Sequence, residues 1–303
     1  MHLFREYLFA AALLLASVPC RAQMGNVGAP EGGSFLEEYT NILTVDEPWH
    51  FTGDNVLVVG EGPRLRAMLP YGGSPDKGAA FAELVGRYAE AFPDQTVYCM
   101  PIPTACEFYT PYTAEPYIRS QAAVIRNIFI QLSPDIRPVN VYTPLAQHAA
   151  EDIYARTDHR WLPLGAFYAA RAFATVAEVP FRELDAYRER QVTGYTGTLY
   201  RYTGDDAVGA AAEDFVRYVP WAGRGLRPEG RKLLIIKDGS GKILSEFLQY
   251  SFQEVHLVDC RRFSGDFRRL VANRGITDIL FACDLEHIGM QAVLDSLNAY
   301  LDR

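Results

Sequence analysis

The sequence is poor in lysine and has no excess of positive charge. Lysine occurs only at Lys77, Lys232, Lys237 and Lys242, and the chain carries 29 Lys+Arg against 37 Asp+Glu, a formal net charge of −8. The arginines are scattered along the chain rather than clustered. Proteins that bind nucleic acid neutralise phosphates with a basic patch or stripe. The sequence therefore predicts no nucleic-acid partner.

The chain also lacks the short motifs of nucleotide and metal binding. No Gly-x-Gly-x-x-Gly run or P-loop lysine motif occurs, and residues 59–62 (Val-Gly-Glu-Gly) lack the third glycine of such a run. No close pair of cysteines is flanked by histidines, as a zinc site would require. Four histidines have no ligand-like spacing to one another: His50, His148, His256 and His287. We therefore predict no cofactor and no metal.

The first 22 residues have the composition of a secretory signal peptide. Arg5 gives a short basic start, residues 7–18 form an apolar run, and cleavage is expected before Gln23. This run is shorter than the about 20 residues that span a bilayer as a helix, so no permanent membrane span is predicted. Lipoprotein modification at Cys20 is an alternative. We expect an exported mature chain.

Export would place the mature chain in an oxidising compartment, where disulfides can form. Four cysteines follow the signal peptide: Cys99, Cys106, Cys260 and Cys283. Four cysteines allow three connectivities, and the sequence does not choose among them. Cys260 and Cys283 each end an apolar, strand-like run. A pairing between these two and a set of buried free thiols both stay open.

The hydrophobic pattern predicts an α/β fold. The composition is that of a globular protein, with 49% hydrophobic and 22% charged residues. Apolar runs typical of strands alternate with stretches that repeat apolar residues at helical spacing. The predicted strands are 55–59, 96–102, 139–142, 233–236, 254–258 and 279–282, and the predicted helices are 78–92, 117–132, 144–153, 164–177, 242–250, 266–273 and 291–301. This order is typical of a three-layer αβα domain with a mostly parallel central sheet.

The alternation is interrupted between about residues 181 and 230. Within this stretch, residues 194–202 alternate in a way that predicts a strand of an inserted hairpin, with Tyr200 and Tyr202 on one face. That face would either pack on the protein or stack on sugar rings. We predict that residues 23–303 form one α/β domain with a β-rich insertion at about 181–230.

The first loop with residues suited to catalysis runs from Thr157 to Gly165, just ahead of a predicted helix. Asp158 there could orient His159, and His159 could take a proton from a nucleophile. An ordinary helix start explains the same residues, because Asp and Thr are common capping residues and Pro163 suits a first turn.

The second loop, Ile236 to Gly241, follows an apolar strand and precedes a helix. Its glycines allow a sharp turn that presents backbone donors near the helix N-terminus, which favours an anion or oxyanion. Ser240 in this turn is a candidate nucleophile. Gly-Ser-Gly is also a common structural turn.

The two loops together resemble a known family. The segment from Tyr154 to Tyr168, Y-A-R-T-D-H-R-W-L-P-L-G-A-F-Y, closely resembles the signature T-D-H-H-W-T-P-L-G-A-Y-Y of the DHHW family of exported bacterial proteins. The resemblance extends with lower specificity to residues 98–109, 236–247 and 258–263. That family is similar to the SGNH-hydrolase-related O-acetyltransferases that modify exopolysaccharides such as alginate. The resemblance implies an SGNH-hydrolase or flavodoxin-like fold, a location in the bacterial envelope or periplasm, and a polysaccharide or acylated glycan as partner.

The resemblance also implies a catalytic set, from which this sequence departs at two positions. The related acetyltransferases use a serine that follows a strand and an Asp-x-His motif whose His directly precedes a Trp. Asp158 and Trp161 match, but Arg160 stands at the position of that His, and Gly239 stands at the position of the serine in the family turn K-D-S-Y-G. An arginine stays protonated and cannot act as the base. Glycine has no side chain and therefore cannot supply a nucleophile.

Two functional hypotheses follow. In the first, the chain is an O-acyltransferase or carbohydrate esterase of SGNH type. Ser240 attacks, His159 is the base, Asp158 orients it, and backbone amides at Gly239 or Gly241 stabilise the oxyanion.

In the second hypothesis, the cleft between the two loops binds an envelope glycan without turnover. Arg160, Trp161, Asp238, Gly239 and Gly241 are then binding residues, and Arg160 offers a fixed fork of donors to a carboxylate or a sugar oxygen. A structural envelope protein without a ligand is a third interpretation.

Overall fold

The structure is a computed structural model that describes residues 36–221 and 228–302. The predicted signal peptide (residues 1–22), its cleavage before Gln23 and the alternative at Cys20 lie outside the described residues. The described residues form ten strands: β1 Trp49–Phe51, β2 Leu57–Val59, β3 Arg66–Met68, β4 Thr96–Ile102, β5 Ile136–Pro138, β6 Tyr187–Tyr195, β7 Glu213–Pro220, β8 Lys232–Lys237, β9 Glu254–Asp259 and β10 Asp278–Asp284.

The described ranges also contain eleven α-helices and three short 3₁₀ helices. The α-helices are α1 Pro75–Ala91, α2 Cys106–Tyr109, α3 Gln121–Gln131, α4 Tyr142–Gln147, α5 Pro163–Ala177, α6 Thr198–Thr203, α7 Asp206–Ala210, α8 Gly241–Leu248, α9 Phe267–Arg274, α10 Leu285–Ile288 and α11 Gln291–Leu301. The 3₁₀ helices are Gly62–Arg64, Tyr112–Tyr117 and Leu184–Ala186. None of the described helices has both the length and the apolar character needed to cross a bilayer.

Five strands form the central sheet, in the order β5-β4-β10-β8-β9, and every pair is parallel. β10 lies in the middle of the sheet, and all seven of its residues are buried. Strands covered on both faces are near-continuous apolar runs. This burial explains why β8 and β10 are readable from the sequence as uninterrupted hydrophobic segments.

Helices flank the sheet in two groups. α1 packs against α3 and α11, and α5 packs against α4 and α8. α5 begins with Pro163 in its first turn, where the missing N–H of proline costs nothing. The predicted three-layer α/β fold with a mostly parallel central sheet is confirmed.

Two predicted strands are wrong in their details. Residues 55–59 do not join the parallel sheet, because β2 pairs antiparallel with β1 and β3 in a separate three-stranded sheet. A short buried run has the same pattern in both kinds of sheet. The third strand lies earlier than residues 139–142: β5 is Ile136–Pro138, and α4 already begins at Tyr142.

The interrupted stretch contains a two-stranded sheet and two short helices. β6 and β7 pair antiparallel, and α6 and α7 lie between them in sequence. The strand predicted for residues 194–202 is therefore wrong over its second half, because Thr198–Thr203 is helical. Leu199 is buried against Val208 of α7, whereas Tyr202 is exposed. A helix of six residues is too short to show its period in the sequence. The single-domain organisation and the bounds of the insertion stay predictions.

The four described cysteines are buried free thiols. β8 lies between β9 and β10, and Lys237 is level with both Asp259 and Ala282, so Cys260 and Cys283 follow on either side of β8. Their side chains nevertheless meet: a hydrogen bond with the Cys260 thiol, together with burial, raises the pKa of Cys283 well above its ordinary value. The two thiols are thus neighbours that are not joined by a disulfide.

We predict that Cys99, Cys106, Cys260 and Cys283 remain thiols even after exposure to oxidised glutathione. Burial raises the pKa of Cys106 to about 12 and raises that of Cys99 as well, so the thiolate that exchange requires is scarce. Alkylation of the denatured chain followed by mass spectrometry should label all four residues equally with and without prior reductant. A Cys260–Cys283 disulfide peptide would contradict the prediction.

Candidate functional site

The two loops singled out in the sequence meet at the carboxyl end of the parallel sheet. The indole Nε1 of Trp161 donates to the carbonyl oxygen of Ser240 over 3.1 Å, and the Trp161 side chain is buried. Ligands of open α/β sheets bind outside the carboxyl ends of the strands. The fold therefore places both loops where a ligand site is expected.

An arginine and a glutamate side chain stabilise the backbone at the start of the first loop. The Arg66 guanidinium donates to the carbonyl oxygens of Tyr154 and Ala155 and lies 3.9 Å from the centre of the Tyr109 ring. The Glu213 carboxylate accepts from the backbone N–H of Arg156 over 2.7 Å. These contacts fix the backbone of residues 154–156, which directly precede loop residues 157–161.

The Asp158 carboxylate is an acceptor for four donors. They are the backbone N–H of Arg160, the Tyr195 hydroxyl, and the backbone N–H and hydroxyl of Thr198, at 2.9–3.2 Å. Tyr195 and Thr198 belong to the inserted stretch. Burial alone would raise the pKa of Asp158, but the Thr198 hydrogen bond and the charges of His159 and Arg160 outweigh it and lower this pKa below its ordinary value.

The His159 ring is oriented by its Nδ1 atom, which lies 3.1 Å from the Thr198 hydroxyl and 3.3 Å from the Asp158 carboxylate. Burial is the largest influence on the pKa of His159 and lowers it, while the charge of Asp158 acts in the opposite direction. His159 is therefore neutral at pH 7. No hydrogen bond joins His159 to Ser240 among the described contacts.

Ser240 presents its hydroxyl to a buried carboxylate rather than to a histidine. Its Oγ donates to Oδ2 of Asp284 over 2.9 Å, and the residue is 1% exposed. Its backbone N–H donates to the Asp238 carboxylate over 3.0 Å. A nucleophile needs a general base within hydrogen-bond reach of its hydroxyl. Among the described residues, the Asp284 carboxylate is the group within that reach, and no histidine is hydrogen-bonded to the Ser240 hydroxyl.

Asp284 and His287 are site residues that the sequence reasoning missed. Asp284 ends β10 at the carboxyl edge of the sheet, which is a readable signal, whereas His287 lies one turn further on with no motif around it. Oδ2 of Asp238 accepts from the backbone N–H of Asp284 and lies 3.1 Å from Nδ1 of His287. Burial and the nearby charge of Asp238 raise the pKa of Asp284 well above its ordinary value.

Asp238, Asp284 and His287 bring their donor atoms within 4.8 Å of one another, a spacing that a metal ion could use. However, Arg261 Nη1 lies 3.1 Å from Nε2 of His287. Because Arg261 can only donate, Nε2 of His287 is the acceptor in this contact. Nδ1 of His287 is buried and makes no hydrogen bond with the described residues, although it lies 3.1 Å from Asp238. The three side chains thus form a buried cluster with one nitrogen that makes no hydrogen bond.

Arg160 and Gly239 lie against each other. A Cβ atom placed on Gly239 would lie 2.9 Å from Nε of Arg160, closer than real Cβ contacts come. The Arg160 side chain is 40% exposed, and its Nε is 3.9 Å from the Asp158 carboxylate. Any side chain at position 239 would therefore force Arg160 to move. The two departures from the family pattern are therefore in contact, because a side chain at position 239 would overlap that of Arg160.

A small cleft opens beside these residues. Its lining combines the apolar residues Met68, Leu69 and Ala105 with the polar residues Asp158, His159 and Glu286. Thr104 and Cys106 complete the lining. The loop residues 158–161 and the turn residues 238–241 thus lie at one end of the sheet, but the Ser240 hydroxyl and the His159 ring make separate contacts.

Comparison with known proteins gives a family match over residues 79–228 and a shared fold. The family model described as DHHW protein matches residues 79–228. A DHHW family protein from Eubacterium siraeum of known structure is 27% identical, with a TM-score of 0.76 over 84% of this chain and 97% of that one. No curated protein matches the sequence.

Two structures of Bacillus cereus PatB1 have the same fold. One is 12% identical, with a TM-score of 0.57 over 82% of this chain and 99% of that one. The second, which carries a sulfonyl adduct, is 13% identical, with a TM-score of 0.61 over 81% and 99% of the two chains.

Replacing Asp158 with Asn should lower the free energy of unfolding by about 1–3 kcal/mol, because four donors lose a charged acceptor. A carboxyl whose pKa is lowered by folding contributes stability above its unfolded pKa, and this contribution is lost as the pH falls through the folded pKa. The free energy of unfolding of the wild type, measured with urea, should therefore decrease below about pH 4. This decrease should be smaller in the variant. Asp94→Asn, at an exposed position, is the control. Equal stability of both variants would show that Asp158 does not organise the loop.

Proposed function

Since residues 79–228 of this chain belong to the DHHW family, we propose that it is an exported envelope protein that binds a polysaccharide or acylated glycan without forming an acyl-enzyme. The predicted signal peptide supports export, and the resemblance to the polysaccharide-modifying acetyltransferases supports the ligand class. The binding site is the surface formed by the exposed Arg160 side chain and the adjoining His159.

The contact between Arg160 and Gly239 carries the proposal. The position of the family serine has no side chain, and the position of the family base holds a permanent cation that fills the vacated space. A single change could leave a partly working site. Two changes that pack against each other describe a site reorganised around the arginine.

Arg160 is also well placed to meet a ligand. Its Nε is buried without a hydrogen-bond partner, and 40% of the side chain is exposed. A guanidinium presents its donors in a planar fork that suits carboxylates and other paired oxygens. His159, neutral at pH 7, adds a hydrogen-bonding group on the same rim.

The proposal predicts that serine chemistry is absent and that it can be rebuilt. The wild type should not hydrolyse p-nitrophenyl acetate above background. The double variant Arg160→His with Gly239→Ser restores both family residues and removes the steric conflict, so it should gain ester turnover. Neither single variant should gain it, because each lacks one partner. Wild-type turnover that Ser240→Ala abolishes would instead establish Ser240 as the nucleophile.

The proposal also predicts how glycan binding depends on the site. On an array of bacterial polysaccharide fragments, Arg160→Ala should weaken binding about tenfold or more, because charged hydrogen bonds are worth about 1.5–3 kcal/mol. Ser240→Ala should bind as the wild type does, with its melting temperature measured as a folding check. Arg274→Ala, before the start of β10 and thus at the other end of the sheet, is the matched control. Loss of binding in the Arg274 variant alone, or no binding by the wild type, would refute the proposed function.

A further inference from the structure

Three buried side chains meet just beyond the ends of β8 and β10, and we call them the acid–histidine cluster: Asp238, Asp284 and His287. Asp238 directly follows β8, Asp284 ends β10, and His287 lies in α10. Their exposed fractions are 0%, 4% and 6%. One donor atom of each lies within 4.8 Å of the others. The sequence shows no metal motif here, because Asp238 and Asp284 are 46 positions apart.

The cluster holds two carboxylates in the protein interior without a basic partner. None of the described lysines and arginines forms an ion pair with Asp238 or Asp284, and His287 is the titratable group beside both. Because Nε2 of His287 accepts from Arg261, the ring is neutral and adds no positive charge. Buried charges in proteins are paired or coordinate metals. A divalent cation supplies the charge that this cluster lacks.

The histidine nitrogen that faces the carboxylates is positioned like a metal ligand. Nδ1 of His287 is buried and makes no hydrogen bond in the described part of the chain, although Oδ2 of Asp238 is only 3.1 Å away. Two ligands of one zinc ion, each about 2.0–2.2 Å from it, are about 2.8–3.6 Å apart at octahedral or tetrahedral angles. The 3.9 Å from Nδ1 to Oδ2 of Asp284 corresponds to a wider angle at the ion.

Hydrogen bonds already orient both carboxylates. The backbone N–H groups of Ser240 and Asp284 donate to the two oxygens of Asp238, over 3.0 Å and 2.6 Å. The Ser240 hydroxyl donates to Oδ2 of Asp284 over 2.9 Å. Partners of this kind hold the ligands of a metal in their binding geometry. The cluster therefore needs little rearrangement to receive an ion.

The donor set selects the type of cation. One imidazole nitrogen together with two carboxylates is a combination that suits zinc. Ca²⁺ takes six to eight oxygen ligands, and Mg²⁺ keeps several waters in an octahedral shell. Three buried side chains, one of them a nitrogen donor, satisfy neither requirement.

We propose that the acid–histidine cluster is a Zn²⁺ site, with Asp238, Asp284 and Nδ1 of His287 as its ligands and water completing the coordination. The ion ties the turn after β8 to the end of β10. Binding needs a lone pair on Nδ1, so the ring proton moves to Nε2 and the exposed Arg261 side chain turns away from it. This inference goes beyond the proposed function and is independent of glycan binding.

Zinc binding is measured on the purified protein after its treatment with EDTA. Calorimetric titration with ZnCl₂ should give a single site, and Zn²⁺ should raise the melting temperature because it binds the folded state. His287→Ala should abolish the site. His256→Ala, which removes a histidine paired with Glu254 on β9, is the matched control and should retain it. Excess Mg²⁺ should not displace Zn²⁺.

Arg261 provides a readout that a merely structural cluster would not move. Arg261→Gln replaces the donor at Nε2 of His287 with a group that can accept the Nε2 proton, as the outer partner of a metal-bound histidine does. This variant should bind Zn²⁺ about tenfold more tightly. Arg262→Gln removes the same charge from the adjacent exposed position and should leave Zn²⁺ affinity unchanged.

Anomalous diffraction at the zinc absorption edge, from crystals grown with ZnCl₂, gives a readout that needs no variant. It should show a peak about 2.0–2.2 Å from Nδ1 of His287 and from an oxygen of each carboxylate. No Zn²⁺ binding by the wild type, binding that a folded His287→Ala variant retains, or a peak elsewhere would overturn the site. Equal competition by Mg²⁺ would overturn its assignment to zinc.

Discussion

The contact between Arg160 and Gly239 is the constraint on which the rest of the site depends. A glycine at position 239 leaves space, and the Arg160 side chain occupies it, so that a serine at position 239 requires Arg160 to move. The turn that would present a nucleophile instead buries Ser240 against Asp284. The loop consequently presents His159 to the cleft and the fixed positive charge of Arg160 to the solvent, two groups suited to holding a ligand.

Asp158 connects this constraint to the inserted stretch. Its carboxylate accepts from the backbone of Arg160 on one side and from Tyr195 and Thr198 on the other. A buried carboxylate is stable only when its oxygens are satisfied. In this chain the inserted residues supply most of those donors and also contact His159 through Thr198. The insertion therefore shapes the site directly.

Much of the fold is predictable from the sequence because buried parallel strands are long apolar runs and amphipathic helices repeat with a clear period. β4, β8, β9 and β10 are found close to their predicted bounds. The antiparallel pairing of β2 is not predictable, since a three-residue buried strand has no signature of direction. The strand prediction fails over residues 198–203 for a related reason. The sequence pattern of one and a half turns of helix resembles that of an alternating strand.

The candidate site divides in the same way. Asp158, Arg160 and Gly239 are identified by motif, because a local signature marks their positions. Asp284 and His287 join them only through the folding of β10 beside β8, a contact between residues more than forty positions apart.

The most direct measurement of the central claim is the intact mass of the protein after incubation with phenylmethylsulfonyl fluoride, which sulfonylates activated serines. We predict an unchanged mass, and a single adduct mapped to Ser240 would contradict the account.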